Sequence, residues 1–299
     1  MTHSTAQQLG PPRRCIWVMN RSQPYTGHER VRTHDLDSWD RLRTSSLLRY
    51  FEQVAWDASA AASFSTGWYT EQGTGWVIRR MIVQRFGPAA YDDQLAVTTW
   101  ISQVVRVRGW REYEVRRPDG SVVAAGQAEW VYIDRASGRP RAVDPEIMRL
   151  LPALDPSPLR TPPPSLSPAP PVAPHTVTRR VWRYEADAMG HVNNTIYADW
   201  LDEAAGDALR AWGHPLVAPA AAGLVPVLQH LSITYLRAAL PGDEVTLTTT
   251  QTGASPDMAE IALAQTITQG TQRLIEAEVV YRLVQQDTGA GTMPAAPRG

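Results

Sequence analysis

The residue types best suited to chemistry crowd into one stretch, "DAMGHVNN" (Asp187–Asn194), directly ahead of a run with helical spacing. A carboxylate there, Asp187, can take a proton from water or attack an electrophile itself. The first turn of a helix presents unpaired N–H groups and a partial positive charge, which suit a developing anion. Gly190 has no side chain, so a ligand could come close to the amides of His191, Val192, Asn193 and Asn194. The His191 imidazole could position water, touch the ligand or orient Asp187. A bland reading stands beside this one: Asp187 ends a strand, His191 is solvated, and Asn193 or Asn194 caps a helix.

The elements that would position these residues occur twice. After the motif, Ile196, Tyr197, Trp200, Leu201, Ala204, Ala205, Ala208, Leu209 and Trp212 recur at helical spacing until Gly213. An alternating stretch, "VTRRVWRYEAD", precedes the motif, and the strand-like runs "VTLTTTQT", "EIALAQTIT" and "RLIEAEVVYRLV" follow the helix. Shifted back by 150 residues, "RRVWRYEADAMGHV" lies over "ERVRTHDLDSWDRL", with Asp187 on Asp37, and "QHLSITYLRAALPGDEV" lies over "RRMIVQRFGPAAYDDQL", with Asp243 on Asp93. Helical spacing of Leu47, Leu48, Phe51, Val54, Ala55 and Ala58, then a hairpin around Pro118-Asp119-Gly120, completes the first copy. Between the copies lies "LPALDPSPLRTPPPSLSPAPPVAP". Its prolines fix φ and lack donors, so neither a helix nor an inner strand can form there, and it reads as an extended spacer.

One helix followed by four or five largely antiparallel strands predicts an α+β fold with the sheet wrapped around a central helix. With "DAMGHVNN" at the helix entrance, the layout resembles the hotdog fold of thioesterases. Two copies in one chain resemble the tandem acyl-acyl carrier protein (ACP) thioesterases, whose hotdog domains form an internal pseudo-dimer. The division expected is an N-terminal tail (1–27), a first hotdog domain (28–150), a proline-rich linker (151–175), a catalytic second hotdog domain (176–285) and a C-terminal tail (286–299). The resemblance implies hydrolysis of fatty acyl thioesters of ACP or CoA. Asp187 and His191 would be catalytic, and Gly190, Val192, Asn193 and Asn194 would hold the substrate or its oxyanion. A thiolate leaving group has a free pKa of about 8.5, so one carboxylate can be sufficient. The plant-type members carry Asp-x-Asn-x-His and a later Glu-Cys pair. Here those places hold Met189 and Ala238-Ala239, so only the simpler mechanism with one aspartate carries over. The first copy keeps Asp37 as a candidate second site, but "GHVNN" has become "DRLRT", with an acid at Asp40 and bulk at Arg41.

Composition narrows the alternatives. The chain has 299 residues, is 43% hydrophobic and carries a net charge of −1, a balance that indicates neither a nucleic-acid binder nor a strongly acidic protein, and no run approaches the roughly 20 apolar residues needed to cross a bilayer. All 29 basic residues are arginine, which removes a lysine Schiff base, and the lone cysteine, Cys15, excludes an internal disulfide. No cofactor or metal is called for, and a cytoplasmic location is expected. The first part carries +4 and the part from His175 onward −5, so Arg79-Arg80 and "RVRGWREYEVRR" could dock an acidic carrier or CoA phosphates, or simply coat solvated strands. Eight of the 11 tryptophans precede the linker, as core or as the lining of an acyl tunnel. Two other functions remain open: an acyl-thioester binding module without catalysis, and an enoyl hydratase or dehydratase, whose Asp-x4-His spacing differs by one from Asp187 to His191. A further homodimer of the pseudo-dimer is also open.

Overall fold

The computed structural model describes residues 23–158, 162–169, 172–214, 216 and 223–286. Cys15 and most of both expected tails lie outside the described residues. In the first half, β1 (Tyr25–Arg30) leads to helix α1 (Thr44–Ala61) and a short α2 (Thr66–Glu71). Strands β2 (Thr74–Arg85), β3 (Gln94–Val105), β4 (Arg108–Arg116) and β5 (Val122–Asp134) follow, then α3 (Pro145–Leu150). After a two-residue β6 (Ser167–Pro168) come β7 (His175–Arg180), α4 (Ile196–Ala211), β8 (Gly223–Tyr235), β9 (Glu244–Ala254), β10 (Glu260–Gln269) and β11 (Gln272–Gln286). β1 begins at Tyr25, inside the stretch expected to be tail, because its residues pair with Gln94–Thr99 of β3.

The strands form one antiparallel sheet in the order β1-β3-β4-β5-β2-β8-β11-β10-β9, with β6 and β7 both beside β9. This is the α+β tandem hotdog architecture, each half wrapping its own helix. Leu47, Leu48, Phe51, Val54, Ala55 and Ala58 of α1 are all buried, as are Tyr197, Trp200, Leu201, Ala204, Ala205, Ala208 and Leu209 of α4. Burying those apolar stripes is what stabilises each wrap. Pairing of β2 with β8 joins the halves, and Ile82 lies opposite Ser232, its own counterpart 150 residues on. The duplication therefore appears in space as a pseudo-twofold axis through that pair.

The proline-rich segment is docked rather than free. Leu154 N–H donates to Ile101 O (2.8 Å), Trp100 Nε1–H to Asp155 O (2.7 Å), and Ser157 Oγ–H to Glu114 (2.6 Å). Farther on, Ser167 and Pro168 pair at the sheet edge with Ala254 and Gly253, the place where a strand proline is tolerated.

Candidate active site

After a single 3-10 turn at Arg183–Glu185, the chain from Ala186 to Thr195 is a tight loop and not yet an α-helix. Asp187 N–H donates to His191 O (2.9 Å), Gly190 N–H to Asp187 O (3.0 Å), and Gly190 takes φ +81°, which a residue without Cβ adopts easily. Val192 is buried and bridges Ala186, pinning the loop to the core. Helix α4 starts only at Ile196, two residues beyond the asparagines expected to open it. Asn193 acts on the turn instead: its Oδ1 accepts from Thr195 N (2.9 Å) and Thr195 Oγ (2.7 Å).

This late start corrects the expected oxyanion set. Val192 N–H donates to Ala239 O (3.0 Å) and Asn193 N–H to Glu185 O (2.9 Å), so neither is open to a ligand. Among the described residues no acceptor meets the N–H groups of His191 and Asn194. Ala239, in the position of the missing Glu-Cys pair, braces the loop from behind, because its own N–H donates to Tyr197 Oη (2.8 Å). Tyr235 Oη–H donates to Asn194 O (3.0 Å) and holds the other end.

Asp187 is exposed, and its Oδ1 accepts from Met189 N–H (2.8 Å). It does not face solvent alone. Glu52, on α1 of the opposite half, has its pKa raised, first by desolvation and also by the charge of Asp187, while donors on Asn193 and Trp56 pull it back. The same burial pushes Tyr197 up to about 12, with Asp187 again among the nearby charges. The charge of Asp187, exposed on one half, thus bears on Glu52, half-buried on the other. One helical turn beyond Glu52 on the same helix, Ala55 and Trp56, and a turn farther on Ser59, line a small apolar cleft with Tyr69, Trp76, Ile101, Arg111 and Trp130, partly open to solvent. A site of this kind offers a carboxylate to water or to a carbonyl, two unengaged amide donors, and an apolar groove for the group attached.

Comparison with known proteins fits this arrangement. The acyl-ACP thioesterase N-terminal domain family matches residues 23–151, and the thioesterase-like superfamily matches residues 181–297. The chain is a tandem hotdog thioesterase. The long-chain acyl-CoA thioesterase FadM of Escherichia coli is 25% identical over 123 residues, 41% of this chain and 92% of that protein. Among solved structures, a protein assigned as an oleoyl thioesterase from Lactobacillus plantarum is 19% identical with a TM-score of 0.73, covering 89% of this chain and 99% of that one. The 12:0-ACP thioesterase of Umbellularia californica is 15% identical with a TM-score of 0.68, covering 87% and 94%.

The thioesterase repeats its site loop around Asp37, with a different outcome. Asp40 takes Gly190's place at φ +59°, a conformation that Asp tolerates better than most residues. Asp37 Oδ1 accepts from Trp39 N (2.9 Å) and Arg41 N (3.0 Å), while Arg41 Nε–H donates to its Oδ2 (3.1 Å). Both oxygens are engaged, and Arg41 fills the place of His191. Across from it Asp202, the counterpart of Glu52, is half-buried, has its pKa raised to about 6 chiefly by desolvation, and bonds Tyr281 and Thr44.

Arg79 Nη1–H donates to Tyr235 O and Arg80 to Ser232 Oγ (2.8 Å), so these arginines brace the β2–β8 seam. Glu52 went unread because α1 shows only its apolar stripe in sequence. The signal was the duplication itself, since a pseudo-dimer turns the helix of one half toward the loop of the other. Among the described residues, no helix is long and apolar enough to cross a membrane.

Proposed function

We propose that this thioesterase hydrolyses acyl thioesters carried on ACP or CoA at a single site made by both halves, with 176–285 contributing the loop and 28–150 the helix and pocket. Asp187 is the base or nucleophile, and the His191 and Asn194 N–H groups receive the carbonyl oxygen as it gains charge. Asn193 positions Glu52, whose pKa is raised chiefly by desolvation, and Glu52 orients water or the thioester beside Asp187. His191 sits at the rim, where it contacts the carrier arm or the water. The acyl group runs from the two carboxyls along α1 into the aromatic cleft. Asp37, locked by Arg41, is structural.

The observation that carries this reading is that the charge of Asp187 reaches Glu52 of the other half, on the helix that also walls the cleft. Thiol release from acyl-CoA and acyl-ACP panels tests it, with crotonyl-CoA included. Free thiol that disappears in Asp187→Ala supports hydrolysis there. Loss of enoyl absorbance without free thiol sinks it in favour of hydration.

A further inference from the structure

Arg111 is 7% exposed, on β4, and its side chain lines the aromatic cleft between Trp56, Tyr69, Trp76 and Trp130. A guanidinium carries five N–H donors and stays protonated in proteins. Among the described residues Arg111 makes one side-chain hydrogen bond, a long one from Nη1 to Thr99 Oγ1 (3.4 Å), and no ion pair. Desolvation lowers its pKa, and the groups nearest in charge are the Tyr113 and Tyr69 hydroxyls. The Tyr113 hydroxyl and the Trp130 Nε1–H beside it are also buried without a well-aligned hydrogen bond.

A buried cation with most of its donors unmet is costly unless something with negative charge arrives to meet them. Half-buried Arg85 differs in its surroundings: it donates to Leu42 O and has Asp202 and Asp37 among its neighbouring charges, although its Nε–H is buried without a partner. Arg111 instead faces the cavity. Its place along the cleft is beyond Glu52. Tyr113, two residues along β4, stacks on Phe51 at 4.4 Å, while Arg111 shares the cleft with Ser59. Seven residues of helix separate Glu52 from Ser59, about 10 Å at 1.5 Å per residue.

We infer that the cleft is built for an acyl group bearing an anionic acceptor, best a carboxylate, at its far end, which Arg111 receives through a charge-assisted, bidentate contact. The substrate class is then an ω-carboxylated acyl thioester, not a plain alkyl one. The inference rests on the reading that the acyl group enters beside Asp187 and Glu52, and it adds the group recognised at the other end. The surrounding indole and phenol rings keep water from the pair, which strengthens it.

The test uses the full chain and two eight-carbon CoA thioesters, octanoyl-CoA and the monothioester of octanedioate. The wild type is expected to favour the octanedioate thioester at least tenfold in kcat/KM. Arg111→Met reverses that order and Arg111→Lys retains part of it. A wild type that favours octanoyl-CoA, or an Arg111→Met variant that loses both substrates alike, overturns the subsite. Binding is read separately by calorimetry, with free octanedioate and octanoate on the Asp187→Asn protein. Tighter octanedioate binding supports the subsite even if Arg111→Met fails to fold, and equal binding of the two acids overturns it. If octanedioate binds preferentially while the wild type cleaves neither these thioesters nor any of the wider panel, the hydrolytic reading falls and the subsite stands.

Discussion

Asp187 and Asp37 occupy equivalent turns, yet their carboxylates are engaged differently. Met189 N–H occupies one oxygen of Asp187, whereas Asp37 accepts from two backbone amides and the Arg41 guanidinium. Asp187→Asn should therefore reduce turnover on the order of 10²–10⁴-fold, the usual worth of a positioned base, with an unchanged circular dichroism spectrum. Asp37→Asn should leave turnover within about twofold of wild type on the same assay, far from the loss of a catalytic base. Glu52 makes a different prediction, one of pH. Its folded pKa is raised above the ordinary 4.5, so the stability tied to its proton is full below that value and is lost as pH rises through the folded pKa. Glu52→Gln cannot ionise and keeps an acceptor for Asn193. Its melting temperature should match wild type near pH 4 and exceed it increasingly toward pH 8, and the opposite trend would mean that the site holds Glu52 ionised.

At the scale of elements, α1 does more than fill its half. It carries Glu52 on the face toward the opposite loop and Ala55, Trp56 and Ser59 on the wall of the cleft. Its height above the sheet is set partly by Gly126 on β5. A Cβ there would meet Phe51 Cε2 at 2.6 Å and the Ile82 carbonyl at 2.8 Å. Phe51 is held by its stack on Tyr113, and the carbonyl belongs to the neighbouring strand, so neither can yield cheaply. Gly126→Ala should cost about 1–3 kcal/mol in denaturant unfolding, as overpacked cores do, and lower turnover as well by pushing Glu52 off the seam. A stable variant with altered turnover alone would contradict this account.

For the whole molecule, the seam matters more than the covalent link. Five residue pairs of β2 and β8, Arg79 on the Tyr235 carbonyl and Arg80 on Ser232 join the halves independently of the proline-rich segment. A protease site inserted between Pro163 and Pro164 should, once cut, leave two fragments that co-elute on gel filtration and retain thiol release. Separation of the fragments, with activity kept by either one, would remove the case for a site shared between halves.

Local pattern decided much of this protein. Apolar spacing gave both central helices, alternation and turn residues gave the strands, and the 150-residue offset announced the duplication, because helix and strand periods are written in neighbouring residues. The stretch at Asp187–Asn194 stood out too, since its residue types mark it chemically. The helix start was not: Asn193 looks like a cap, and only Tyr235, Ala239 and Glu185 closing around the loop delay the helix to Ile196. Tertiary structure alone brought Glu52 to Asp187 and left Arg111 facing a cavity. Both depend on which groups lie opposite after residues far apart in the chain have packed, and no spacing along a single chain encodes that distance.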